Sequence, residues 1–403
     1  MNRQTRREFL ISSSAFLALA AAGCGPGRQA EPATTSPSGG VPALPKTPVN
    51  LNVLDVAGQQ QLTKSIIDDY AKTQSQYVSD LTYQTATSPE MPGKIKAQQA
   101  AGQVSIAIVL TGSDGLSSGI EQGIWEQLLP AYRQKFPNLL QNYLQPKAQD
   151  LTKGYGILDV FGNYGPTFTY NGQKLTTPPG TPADLLQWAK SNPNQLIYAR
   201  PANSGPGRTL LQGLPYLLGD SDPRDPGTWD KTWAYLTELG KYIQYYPSGT
   251  SAAMKELGQG ARTVAVSTMG WDMNIRLLGT VPKDDRAFTI SKQHLVADTQ
   301  YVCVPKGLEP GMLAVVLDLI AFMLKPQQQA KTYDSAYFYP GPAVKGATLQ
   351  MAPADSQAAV KSVQRPEFDA MIKSATIEMP LDSANLVKAF DEWDKRVGAN
   401  KLK

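Results

Sequence analysis

Chemistry-bearing side chains are scarce in this sequence. Its 403 residues hold one histidine and two cysteines, which excludes Cys/His metal clusters and a disulfide scaffold. Without a second imidazole beside His294, no Ser-His-Asp arrangement has independent support. Charge of one sign is lacking as well. The 38 basic and 34 acidic residues give a formal charge of +4, too mild for a chain that neutralises nucleic-acid phosphates, so no nucleic-acid partner is expected. The apolar stretch Phe9 to Ala22 falls short of the roughly 20 residues that span a bilayer. Material for folded cores is ample: 41% of the residues are hydrophobic, and at about 150 residues per domain the length predicts two or three domains.

The N-terminus reads as a processing segment. A basic start, the apolar run Phe9 to Ala22 and the small-residue zone ending in Gly23-Cys24 have the order of an export signal. Thr5-Arg6-Arg7-Glu8-Phe9-Leu10 resembles a twin-arginine signal, and Ala21-Ala22-Gly23-Cys24 resembles a bacterial lipobox with Ala21 where leucine is usual. Residues 1–23 are therefore expected to be removed, with Cys24 lipidated. That cut takes Arg3, Arg6, Arg7 and Glu8 with it and lowers the formal charge from +4 to +2. Cys303, in the apolar run Tyr301 to Pro305, is then the remaining thiol and reads as a buried, inert one. Residues 24–48 are rich in Gly, Pro, Ser and Thr and read as a flexible tether.

From Val49 onward, strands and helices alternate. Val49 to Val56 alternates as a strand, and Leu62, Ile66, Ile67 and Tyr70 fall at helical spacing behind it. A strand at Val78 to Thr85, a helix near Gly93 to Ala101 and an apolar strand at Val104 to Leu110 follow, as in a parallel sheet. Open α/β sheets take ligands at the carboxyl ends of their strands. Here those ends carry Asp55 to Gln59, Thr87-Ser88 and Thr111 to Asp114. Gly154 to Pro166 reads as a crossover, Thr181-Pro182 as a capped helix start, Gln195 to Arg200 as a strand, and Ala287 to Pro305 as a return crossover. The tail from Glu309 reads as mostly helical.

Two motifs stand out on this frame. Asn203-Ser204-Gly205-Pro206-Gly207-Arg208 opens an apolar helix, where small residues and free N–H groups admit a polar or anionic group. It departs from a phosphate loop in having Ala202 for the first glycine and Arg208 for the lysine. The plainer reading is that Ser204 or Asn203 caps the helix. Met269-Gly270-Trp271-Asp272 follows a strand as a turn and offers an indole face beside a carboxylate, which suits an organic cation. Its plainer reading is Asp272 as a helix cap and Trp271 as packing. His294 is read as structural, and Tyr164, Tyr301, Tyr337 and Tyr339 as further aromatic candidates.

Taken together, the chain resembles an extracellular solute-binding protein, family 1 type, of ABC transporters, over Val49 to about Val397. The opening strand and helix, Thr181 to Asn192, Arg200 to Leu214 and Val264 to Leu277 carry the resemblance. It is closest to the YnjB-type branch and more distantly similar to polyamine and thiamine binders. The resemblance implies an α/β fold of the periplasmic-binding-protein type II: two α/β lobes with mixed sheets, joined by crossover strands around a ligand cleft. Residues 49–160 with 297–345 are expected as lobe I, and 161–296 with 346–403 as lobe II. The expected cleft is formed by Gly58, Gln59, Ser88, Ser113, Asp114, Tyr164, Asn203, Ser204, Gly205, Arg208, Trp271 and Asp272. The implied protein is a monomer without cofactor, metal or catalysis. It would close on an amine, a vitamin or a carboxylate-bearing solute, hand it to a membrane permease, and stay on the membrane by its lipid. An exported hydrolase using carboxylates in the same cleft is the rival reading.

Overall fold

Two mixed sheets divide the chain between them. The structure, a computed structural model, describes residues 40–290, 293–399 and 401. The expected signal, Cys24 and the tether up to residue 39 lie outside the described residues. The strands are β1 (Val49–Asp55), β2 (Val78–Thr85), β3 (Ile106–Gly112), β4 (Gly156–Gly165), β5 (Thr167–Tyr170), β6 (Leu196–Ile197), β7 (Val264–Ser267), β8 (Arg286–Phe288), β9 (His294–Cys303), β10 (Pro340–Pro342) and β11 (Thr376–Glu378). The larger sheet runs β10-β4-β9-β3-β1-β2 with β11 on β9, and the smaller runs β6-β7-β5-β8. β1 pairs parallel with β2 and β3, as successive βα units require, whereas β9 is antiparallel to both β3 and β4. The parallel expectation therefore holds for the opening units, and the returning strand makes the sheet mixed.

β4 and β9 are the long crossover strands, both buried along nearly their whole length. The chain passes from the larger sheet to the smaller through Gly165-Pro166, between β4 and β5, and returns between β8 and β9. Thr289 Oγ1 donates to the Pro166 carbonyl at 3.2 Å, tying the two passages side by side.

Local chemistry explains the helices that frame the lobes. Thr181 Oγ1 accepts the Asp184 amide at 3.1 Å, and Pro182 opens the helix Pro182–Ser191. The helix Gly205–Leu218 is capped by Ser204 and ends on Gly219 with φ 68°, the left-handed exit that glycine adopts without steric cost. Met269 to Asp272 differs from expectation. It is the first turn of a helix, Met269–Leu277, preceded by Thr268 in an extended conformation, so Asp272 is no cap. The strand expected at Gln195 to Arg200 shortens to Leu196–Ile197.

Each lobe has its own apolar core. Leu51, Val53, Ile66, Ile108, Val315 and Ile320 are fully or almost fully buried around the larger sheet, and Phe168, Leu196, Leu214, Trp229, Leu236 and Val264 around the smaller. The C-terminal segment divides between them. Val360, Val363 and Phe368 join a cluster with Phe161, Tyr339 and Val344, whereas Leu386, Ala389 and Trp393 join the core of the smaller sheet. The first cluster also holds Met269 and Met273 of the helix Met269–Leu277, so residues 360–368 pack against elements of both lobes, whereas 386–393 join the smaller one. The described end of the expected tether is likewise not free, since Val41 and Leu44 pack against the larger core.

Candidate functional site

Asp55, at the end of β1, shapes one side of the cleft. Its carboxylate accepts the amides of Ala57, Gln59 and Gln60 at 3.0–3.1 Å, seating it on the start of the helix Gln60–Thr73. Burial pushes its pKa up, and those backbone bonds oppose the rise. The loop so fixed presents Val56 and Ala57 to a cavity of about 350 Å³. Ala86, Thr87 and Ser88, after β2, continue this wall.

Helix starts form the opposite wall. Ser204 Oγ accepts the Gly207 amide at 3.0 Å and lies 2.8 Å from Thr250 Oγ1, which begins the helix Thr250–Gly258. Asn203, Ser248 and Gly249 flank them. The indole of Trp271 stands edge-on to Tyr337 with ring centroids 5.3 Å apart, and both line the cavity. Asn163 ties β4 to this side, its Oδ1 accepting the Gly270 amide at 2.9 Å.

An ion triad crosses the cleft. Arg208, on the helix Gly205–Leu218, places Nη1 3.1 Å from Asp114 Oδ1 and Nη2 3.3 Å from Asp298 Oδ1. Asp114 comes from the helix after β3 and Asp298 from β9. All three are buried, at 9% exposure or less. Burial lowers the Arg208 pKa and the two carboxylates more than offset it, leaving it raised; burial raises that of Asp298 against the pull of Arg208. Glycines make the room: a Cβ on Gly112 would sit 2.5 Å from Asp114 Oδ1, and one on Gly205 would collide with Asp298 Oδ2. Four buried polar atoms of the wall have no hydrogen-bond partner in the protein: Asn203 Oδ1, Arg208 Nε, Gln300 Oε1 and Asp114 Oδ1, the last meeting Arg208 only as an ion pair.

Of the residues expected at the cleft, Ser88, Asp114, Asn203, Ser204, Gly205, Arg208 and Trp271 line it. The other five do not. Gly58, with φ 71°, lies behind the wall, where a Cβ would come within 2.8 Å of Tyr337 Oη. Gln59 is buried and donates to Asp159 Oδ2 at 2.6 Å, beneath the cleft. Ser113 and Tyr164 are buried, Tyr164 packing edge-on against Phe161, and their chain neighbours Asp114 and Asn163 take the wall instead. Asp272 is fully buried on the far side of its helix, held by Thr169, Arg276 and Arg365. Successive helical residues point about 100° apart, so Trp271 and Asp272 cannot serve one ligand.

Sequence reasoning missed Asp298, Gln300 and the Ser248 to Thr250 start. A signal for each exists: Asp298 and Gln300 are two residues apart in an apolar strand, hence on one face. Ser248-Gly249-Thr250 repeats the small-residue helix start of Asn203 to Gly205. His294 bonds Glu378 Oε1 through Nδ1 at 2.8 Å and stacks on Tyr216, away from the cavity. Cys303 is buried, which pushes its thiol pKa well up. Among the described residues no group of three or more His, Cys, Asp and Glu side chains could hold a metal ion.

The comparisons with known proteins agree with this architecture. No curated relative matches the chain. Among solved structures, a GABA receptor superposes with a TM-score of 0.62 at 17% identity, covering 87% of this chain and 97% of its own. A spermidine/putrescine ABC transporter protein of Listeria monocytogenes gives 0.57 at 17% identity, covering 86% and 98%. A periplasmic thiamin-binding protein gives 0.59 at 16%, covering 89% and 99%. At these identities the likeness concerns the fold, two α/β lobes of the periplasmic-binding-protein type II. The sequence itself matches the family described as bacterial extracellular solute-binding protein over residues 65–362, well over half of the chain. The chain therefore belongs to the bacterial extracellular solute-binding proteins and is an exported solute-binding protein.

Proposed function

We propose that the chain captures one small polar solute in the cleft between its lobes, closes on it by motion of one lobe against the other, and releases it to a membrane permease. The observation that carries this reading is that unpartnered buried polar atoms, among them Asn203 Oδ1, Arg208 Nε and Gln300 Oε1, surround one 350 Å³ cavity. Buried polar atoms without partners are costly, and a ligand that satisfies them recovers that cost. Asn203 and Arg208 belong to the smaller lobe and Gln300 to the crossover strand β9, so a solute that bonds all three also joins the lobes. Closure removes water, which strengthens each such contact in the lower dielectric. Only the closed, liganded form then presents both lobes to the permease in a fixed relation.

The protein is proposed to act as a monomer held at the outer face of the cytoplasmic membrane by lipid on Cys24, with residues beyond it as tether. Thermal-shift measurements across amines, vitamins, sugars and carboxylates test the capture reading. At least one solute is expected to raise Tm, and Trp271→Ala is expected to weaken its affinity about tenfold, near 1.4 kcal/mol. A melting curve indifferent to every solute would sink the proposal.

A further inference from the structure

A second surface of the larger lobe combines positive charge with uncovered apolar area. Residues 127–153, between the helix Ser113–Glu121 and β4, hold Arg133, Lys135, Lys147 and Lys153 against one acid, Asp150. That surplus exceeds the formal charge of +2 expected of the whole chain once residues 1–23 are removed. Two grooves of about 650 and 340 Å³ adjoin here and share Phe136 and Leu139. Arg133 and Lys153 line the first, Lys135 and Lys325 the second. Lys135 pairs with Asp318 at 3.0 Å, whereas among the described residues Arg133, Lys153 and Lys325 form no ion pair. Leu140 and Leu144 are 41% and 47% exposed. Leu140 lines the first groove, and the Leu144 amide donates to the Ala343 carbonyl, next to Val344 of the second.

The described chain begins at this same surface. A Cβ on Gly40 would lie 3.1 Å from Gln134 Nε2, between Arg133 and Lys135, and Val41 and Leu44 pack on the core that holds Phe136. From Gly40 back to Cys24 the chain can span at most about 55 Å. The cleft is elsewhere. Gly154 of the first groove precedes β4, and Asn163 of the cleft lies near the other end of that strand, roughly 20 Å along it.

We propose that this face of the larger lobe docks on an anionic phospholipid bilayer, with Arg133, Lys153 and Lys325 at the headgroups and Leu140 and Leu144 entering the interface. It rests on the anchor reading for the nearness of the bilayer and adds the surface that meets it. Each basic side chain near an anionic bilayer is worth roughly fivefold in affinity, and exposed leucines add burial of apolar area. Such a contact is weak alone and gains weight because the anchor keeps the bilayer within reach. A second copy seated here would set one positive surplus against another, whereas a bilayer of anionic lipid supplies the opposite sign. Docking on this face leaves the cleft uncovered, so the anchored protein takes up solute while it rests on the membrane.

Vesicle co-sedimentation of the full mature chain carrying Cys24→Ser, which has no acyl group, isolates this surface. Partition into vesicles of equal phosphatidylglycerol and phosphatidylcholine is expected to exceed that into phosphatidylcholine alone at least tenfold, and to fall as salt rises. In that background Arg133→Gln with Lys153→Gln is expected to lower partition tenfold or more, and Leu140→Ser with Leu144→Ser severalfold. All four positions are exposed, so the fold should stand in these variants. Lys190→Gln, exposed on the smaller lobe, is expected to change nothing. Equal partition into both vesicle types, or an equal loss in Lys190→Gln, overturns the docking surface and leaves the anchor standing. A dimer that Leu140→Ser with Leu144→Ser dissociates, without vesicle binding, also overturns it and assigns the groove to a second copy. Fatty-acid labelling of the native chain scores the anchor separately: an unlabelled Cys24 overturns the anchor reading and leaves the vesicle result, obtained without an acyl group, to support the surface.

Discussion

Two buried ion triads of opposite composition sit on either side of the helix Met269–Leu277. At the cleft, Asp114 and Asp298 share Arg208; behind the helix, Arg276 and Arg365 share Asp272. Both are buried, with side-chain exposures of 0% to 11%, yet they differ in saturation. Asp272 accepts five hydrogen bonds: Oδ1 from Thr169 and Arg365, Oδ2 from Arg276 twice and from Arg365. Nothing on it is left for a ligand. Arg365 also donates to the Asp285 carbonyl, and Arg276 to that of Val363, so the triad clamps the C-terminal segment to the smaller lobe. The cleft triad makes single contacts and leaves Arg208 Nε unpartnered. Saturation, more than burial or charge, separates a structural clamp from a recognition site.

The largest effect should come from breaking the clamp. Arg365→Ala leaves a fully buried carboxylate with three of its five hydrogen bonds, and a stability loss of about 3–5 kcal/mol is expected in urea unfolding. Lys388→Ala, which breaks the exposed and solvent-screened pair with Asp225, should move the unfolding midpoint far less. Equal losses in the two variants would show that saturation of Asp272 carries no special weight, and the contrast between the triads would collapse.

Asp159 extends the comparison to a carboxylate with no cation at all. It is buried beneath the cleft between Gln59 and Gln329, and burial raises its pKa to about 7, against the lowering effect of their two side-chain hydrogen bonds. The folded protein then holds a proton that the unfolded chain releases near 3.8. Stability from this site is thus fully present below about pH 4 and declines as pH rises toward about 7. Turning the Gln59 amide end for end brings its otherwise unpartnered Oε1 to that proton. Between pH 4.5 and 7.5 the unsubstituted protein should lose roughly 3 kcal/mol more stability than Asp159→Asn. Parallel pH profiles for the two proteins would mean that Asp159 stays ionised in the fold.

How much of this was legible in the sequence follows from the same residues. The strands and the two-lobe plan were readable because alternation and helical spacing are local: β2 falls on Val78–Thr85, where the pattern placed it. The small-residue loop at Asn203 to Gly205 was readable as a wall for the same reason. Adjacency misled at Trp271-Asp272, where a helix turns the two side chains apart, and at Tyr164, where Asn163 with φ 48° takes the wall position. Asp298 was hidden because a single carboxylate in an apolar strand gains meaning only when Arg208, ninety residues away in the chain, folds onto it. The charge balance of a cleft is a long-range property, and no window along the sequence contains it.

The smallest expected effect compares two helix caps, one at the cleft and one remote from it. Ser204 and Thr181 each accept an amide of the first helical turn, at 3.0 and 3.1 Å, from Gly207 and Asp184. Replacing either by alanine should cost about 1 kcal/mol of stability, the ordinary worth of such a cap. The variants part in binding. Ser204 also meets Thr250 at 2.8 Å and lines the cavity, whereas Thr181 is exposed on the smaller lobe. Ser204→Ala should therefore lower solute affinity severalfold as well, while Thr181→Ala leaves it unchanged. Calorimetric titration of both variants with the same solute distinguishes a hydroxyl that only starts a helix from one that also touches the ligand, since a cap alone moves Tm and not Kd.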